Sequence, residues 1–140
     1  MHKVVNDTNV IVSSLIQKSL PYLIVYHLVV ERSIRVCLSN DLIKEYREVL
    51  AREKFKKYPV FFIKAEALLT DIEALAEIYF PNQKLAIIDD EPDNRVLELA
   101  SESKADFIIT GNTKDFTFPV YDQTKIVTPK EYWDVYKSQK

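Results

Sequence analysis

Lys3-Val4-Val5-Asn6-Asp7-Thr8-Asn9-Val10 is a short apolar run that ends on an acid and two capping residues. The paired valines favour a strand over residues 3–6. Asp7, Thr8 and Asn9 are residue types that accept hydrogen bonds from the first N–H groups of a helix, so a helix over residues 10–16 follows directly. A strand handing straight to a helix is the first half of a β-α-β unit.

The same handover repeats downstream. Residues 20–32 form an apolar run without alternation and read as a buried helix. IRVCL at residues 34–38 is short and β-rich, hence a strand, and Ser39-Asn40 caps a helix from about 41 to 54. In that helix Leu42, Ile43, Tyr46, Val49 and Leu50 follow the 3.6-residue period. A further helix is expected over residues 60–75, with Phe61, Phe62, Leu68 and Leu69 as core. AEIYF at 76–80 reads as a strand. Pro92 suits the first turn of a helix reaching residue 104. DFIIT at 106–110 and KIVT at 125–128 are strands, and Pro129 starts a last helix through Trp133 and Tyr136. Strands alternating with helices predict a three-layer α/β/α sandwich around a mostly parallel sheet. With 140 residues and no Gly/Ser/Pro-rich linker, residues 1–140 are expected to be one domain.

Composition removes several function classes. A single glycine, Gly111, rules out glycine-rich phosphate loops. Cys37 is the only cysteine, which excludes an internal disulfide and a cysteine-rich zinc site and makes a reducing cytoplasm the expected location. The opening MHKVVNDTNV has no apolar signal-peptide core, and the apolar stretch 20–30 is too short to cross a bilayer, so no membrane association is expected. The net charge of −2 gives no overall basic excess, which leaves a local basic stripe as the route to nucleic acid.

Three carboxylates stand out by position. On a wheel of about 100° per residue, Asp93 falls in the stripe of Val96, Leu97, Ala100 and Ser103, where an uncompensated charge is costly. Glu45 sits at the margin of the apolar stripe between Leu42 and Val49. Asp7 ends the first strand, where ligands gather at the carboxyl edge of such sheets. Taken singly, Asp7 is explained as a helix cap, Glu45 as a solvated residue and Asp93 as a partner of the helix dipole. One cation site would explain all three together. Carboxylates without His or Cys suit Mg²⁺ or Mn²⁺, and His2 and His27 are too few for a histidine-rich centre. Asp89-Asp90-Glu91 reads as a solvated run before a helix, and Asp106 as structural.

These stretches resemble the PIN-domain family. Val4 to Val10 resembles its opening strand-and-Asp motif. SNDLIKEYREVL at 39–50 resembles the second acidic helix, with Glu45 at the acidic position. Pro92-Asp93-Asn94 followed by Val96-Leu97-Glu98-Leu99-Ala100 resembles the third, and Ala105-Asp106-Phe107-Ile108-Ile109-Thr110-Gly111-Asn112 the strand carrying the fourth. The resemblance covers nearly the whole chain and is nearest to PIN-type toxins of toxin–antitoxin modules, related to VapC. It departs at Asn112, where many PIN domains carry Asp; Asp115 is the candidate to assist.

The resemblance implies a metal-dependent endoribonuclease. Asp7, Asp93 and Glu45 would be catalytic and hold Mg²⁺ or Mn²⁺, with Glu45 on a metal-bound water. Thr8, Asn9, Thr110 and Asn112 would supply hydrogen bonds, and Asp115 support. Arg47, Arg52, Lys54, Lys56 and Lys57 form a basic cluster that would draw in RNA, with Phe55 and Tyr58 as stacking surfaces. A cognate antitoxin and a homodimer are the implied protein partners. The rival readings are a degenerate PIN module that binds RNA or protein without cutting, a receiver-like phosphoacceptor domain and a plain interaction scaffold. The receiver requires a Lys ending a later strand, and none follows Ile108-Ile109. The scaffold leaves Asp93 unexplained.

Overall fold

Strand β1 (Lys3–Asn6) forms at the valine pair and lies inside the sheet, not at an edge. The structure, a computed structural model, describes residues 1–112, 116 and 118–139. On one side β1 pairs in parallel with β2 (Arg35–Leu38), and β2 pairs in parallel with β3 (Glu77–Ile78). On its other side lie β4 (Phe107–Ile109) and then β6 (Thr124–Val127), both parallel. β5 (Val120–Tyr121) closes that edge antiparallel to β6. The chain runs outward from β1 to β3, then restarts at β4 on the opposite flank of β1. The gap between the carboxyl ends of β1 and β4 is therefore a topological switch point, where open α/β sheets place their ligands.

The helices are α1 (Thr8–Ile16), α2 (Leu20–Tyr26), α3 (Asn40–Leu50), α4 (Phe61–Leu75), α5 (Glu91–Ser103) and α6 (Pro129–Ser138). Alternation along β1 shows which face each layer covers. The Lys3 ammonium reaches the carbonyl of Ser103 at the end of α5, whereas the neighbouring His2 ring packs edge-on against Tyr132 of α6. The result is the expected three-layer α/β/α arrangement. No described helix is long and apolar enough to cross a membrane.

Periodicity explains the packing. On α4 the buried residues are Phe61, Ala65, Leu68, Leu69 and Ile72, one stripe of a 3.6-residue helix. Burying each large side chain of such a stripe is worth about 1.5–3 kcal/mol before the entropy of ordering is counted. Phe61, Leu68 and Leu69 are core as expected, and Phe62 packs against them half-buried.

The elements differ from the sequence expectation where tertiary contacts override local pattern. The helix expected over 20–32 is α-helical to Tyr26, then widens into a π-helical turn (His27–Glu31) that stops at a left-handed Arg32. The helix expected over 41–54 stops at Leu50, and the chain turns through a short 3₁₀ segment (Glu53–Phe55). That turn buries Phe55, which stacks on Phe61 at 4.7 Å between ring centres. The strand expected over 76–80 keeps only Glu77–Ile78. β5 was absent from the sequence reading altogether. It is a two-residue partner of β6, joined through Asp122 in a left-handed conformation that Asp tolerates in tight turns.

Candidate functional site

A cleft of about 430 Å³ opens at the switch point. Its lining includes Asp7, Thr8 and Asn9 after β1, Glu45 on α3, Asp90 and Asp93 at the start of α5, and Asn112 after β4. The three carboxylates singled out by sequence pattern therefore share one cavity, although they come from separate elements. Asp115 lies outside the described residues.

Asp7 is held by both of its carboxylate oxygens. Only 4% of its surface is exposed. Its Oδ1 accepts the Thr8 N–H at 2.8 Å, and its Oδ2 accepts the Thr110 hydroxyl at 2.8 Å and the Asn9 amide at 3.1 Å. Thr110 Oγ1 in turn accepts the Asn112 N–H at 3.0 Å, and Asn9 Oδ1 accepts the Gly111 N–H at 2.9 Å. Asp7 thus caps α1 as its residue type suggests, while its second oxygen ties β1 to the end of β4. A Cβ at Gly111 would come within 3.3 Å of Asn9 Oδ1, so this is the one place where the lone glycine matters sterically.

Glu45 stands at the margin of the α3 stripe, as the wheel predicts. Leu42, Tyr46 and Leu50 point inward, and Glu45 is half-buried beside them. The Thr8 hydroxyl donates to Glu45 Oε2. Burial raises the pKa of Glu45 above its ordinary 4.5; the Thr8 bond opposes this, and the charges of Asp7 and Asp90 add to it. Asp93 is buried at 7% exposure in the first turn of α5, where the helix dipole favours a carboxylate.

The sequence reading did not single out Tyr46 as functional. Its hydroxyl is buried and donates to the backbone carbonyl of Asn6. The Asp7 N–H bonds to Ile109 on the β4 side, so the Asn6 carbonyl faces the other way. The β1–β2 register runs only through Val4↔Val36, and Tyr46 therefore satisfies a carbonyl that the sheet leaves open. Burial, then the charges of Asp7 and Glu45, push the phenol well above its usual range and keep the proton on the donor.

Two of the five cations expected to meet RNA line the cleft, namely Arg52 and Lys54. Arg47 points away and pairs with Glu66 and Glu73 of α4. Lys56 pairs with Glu53 at 2.9 Å, and Lys57 lies over the Tyr58 ring. Phe55 borders the cleft but is only 5% exposed, so it acts as core. The run 89–91 is exposed as expected, yet Asp90 lines the cavity.

A model of the PIN domain matches residues 3–114. The chain belongs to the PIN-domain family. PIN domains are generally nucleases and generally use divalent metals. The chain is also 33% identical to the uncharacterized protein MJ1680 of Methanocaldococcus jannaschii, over 93% of this chain and 88% of that protein. Among solved structures, VapBC2 from Rickettsia felis bound to a DNA fragment from its promoter matches with a TM-score of 0.59. That match has 15% identity and covers 90% of this chain and 98% of the other. FitAcB from Neisseria gonorrhoeae matches with a TM-score of 0.54 at 15% identity, covering 91% and 98%. At that identity these two matches speak for the PIN fold.

The donors suit a hard divalent cation in kind. They are carboxylates, with amide and hydroxyl oxygens beside them, and the repulsion among Asp7, Glu45 and Asp90 is of the sort a cation relieves. Among the described residues no three His, Cys, Asp or Glu side chains form a closed ligand set.

Proposed function

We propose that this PIN domain is a metal-dependent endoribonuclease and the toxin of a toxin–antitoxin pair. The observation that carries the nuclease reading is the meeting of Asp7, Glu45 and Asp93 in one cleft at the switch point, beside Arg52 and Lys54. Asp7 and Asp93 would hold Mg²⁺ or Mn²⁺, with Glu45 reaching it through water. The cation, when bound, supplies the charge that polarises a phosphoryl oxygen and acidifies a water.

The remaining work falls to the chain. Thr8 orients the Glu45 carboxylate through its hydroxyl. Glu45, half-buried in the cleft and oriented by Thr8, is the carboxylate placed to take a proton from the attacking water. Arg52 and Lys54 meet the phosphates that flank the scissile bond. Thr110, Asn9 and Asn112 hold the Asp7 end of the cleft in register.

The toxin reading takes its support from the shared fold with VapBC2, which was captured on promoter DNA. An antitoxin and a second copy of the chain are its partners, and the cytoplasm its location. Asn112 favours a second reading, a PIN module that binds nucleic acid without cutting, since an amide brings no charge to the cleft. Matched single-stranded RNA and DNA oligonucleotides, incubated with Mn²⁺ and with chelator, separate the two. Chelator-sensitive cleavage of RNA alone is expected. Intact RNA in the presence of bound Mn²⁺ would favour the non-cutting module.

A further inference from the structure

The segment 79–90 crosses from β3 to α5 without regular structure, yet it is fastened tightly. The fully buried Asn94 accepts the N–H groups of Ile87 and Ile88 at 3.0 and 2.9 Å and donates to the Ile88 carbonyl at 2.6 Å. Glu98, 4% exposed, accepts the Leu85 N–H at 2.7 Å and pairs with Arg95, which also bonds the Leu85 carbonyl. Three side chains of α5 thus strap residues 85–88 to the helix, and the chain from there to Asp90 is two residues long.

Asp90 is the N-cap of α5, the position where Asp ordinarily accepts an N–H of the first turn. Here it does not. The sequence withholds the partners. Pro92, the second helical residue, has no N–H, and the Asp93 N–H is already given to the Asp90 carbonyl at 3.1 Å. The Asp90 side chain is left to line the cleft with Asp7, Glu45, Asp93 and Asn112.

We propose that Asp90 is the fourth carboxylate of the metal site, contributing the charge that Asn112 does not. The inference rests on the metal-dependent reading of the cleft. A strap anchored by buried polar groups leads to a carboxylate that lines the site at the start of α5, in the same cleft as the amide that follows β4. The ligand class is a hard divalent cation, met directly or through one of its waters.

Mn²⁺ titration calorimetry on the purified chain tests this without any substrate. Asp90→Asn should weaken Mn²⁺ binding by about tenfold or more, as loss of a ligand-supporting group does. Asp89→Asn, next door and outside the cleft, removes the same charge and should change affinity by less than about twofold under the salt screening of the assay. Adding Asn112→Asp to Asp90→Asn should restore binding, because one carboxylate replaces the other. Thermal melts of each variant verify folding. Equal effects of Asp90→Asn and Asp89→Asn would reduce Asp90 to a general field and overturn the proposal. Unchanged affinity in Asp90→Asn, with the wild type binding Mn²⁺, would overturn it while leaving the nuclease reading intact. No binding by the wild type would overturn both.

Discussion

The two walls of the cleft are built by different means. The β1–β4 wall is made by strand ends. Asp7 takes hydrogen bonds from a backbone N–H, a threonine and an asparagine, and the Tyr46 hydroxyl satisfies the carbonyl of the preceding Asn6. The α5 wall is made by side chains that hold a non-regular segment, with Asn94, Arg95 and Glu98 in the place of a strand. The first wall follows from sheet geometry, in which neighbouring strands correct each other. The second depends on a few buried polar groups, each of which is expensive to leave unsatisfied. One cleft therefore joins a robust half to a half that single substitutions should loosen.

The largest expected effect comes from removing the buried carboxylate of the α5 wall. Asp93→Asn should lower cleavage by about 100-fold or more, the scale of losing one charge-stabilising group in an active site. The fold should survive, and the metal-free protein should melt at a higher temperature because repulsion in the cleft is relieved. A lower melting temperature would count against a carboxylate cluster.

The walls should then separate under Asn94→Ala. Stranding the Ile87 and Ile88 backbone groups should cost about 2–3 kcal/mol in denaturant unfolding. Hydrogen exchange should accelerate over residues 85–90 and stay slow in β1. Uniform acceleration across both walls would show that the strap is not a separate unit.

On the other wall Tyr46→Phe should cost about 1–2 kcal/mol, since it leaves the Asn6 carbonyl buried without its donor. The ring is retained, so exchange should rise near Asn6 and Asp7 and not in the strap. No change in either place would mean that water replaces the hydroxyl.

The smallest effect concerns pH. Glu45 has its folded pKa raised, so the native state favours the protonated form. Stability from that group is complete below the ordinary value of 4.5 and declines as pH rises through the higher folded value. Metal-free Glu45→Gln should not show this decline and should gain in melting temperature on the wild type as pH goes from 4 toward 7. A constant difference between the two proteins would show that burial does not raise the Glu45 pKa on folding.

Much of this was legible in the sequence because period and position agree. Val4 and Val5 in a strand, the stripe on α4 and the acid at the end of β1 each follow from local rules, and the buried place of Asp93 follows from the helix wheel. Arg47 shows where such rules stop. Its spacing groups it with Arg52 and Lys54, but Glu66 and Glu73 on α4 draw it elsewhere, and no local pattern encodes that meeting. Phe55 departs from its expected place as a stacking surface for the same reason, since only the fold brings Phe61 against it. Asp90 looked like one of three solvated acids. The available signal was Pro92, which removes the N–H that a capping Asp would use. Tyr46 gave no polar signal, because a tyrosine on an apolar stripe reads as core until its hydroxyl finds a strand carbonyl.

The most direct test of the nuclease account is to incubate the wild-type protein and Asp93→Asn with total cellular RNA and Mn²⁺ and sequence every new RNA end. Ends at defined positions that vanish both in the variant and with chelator are expected. Ends that persist in Asp93→Asn, or no new ends from a wild-type protein that binds Mn²⁺, would contradict it.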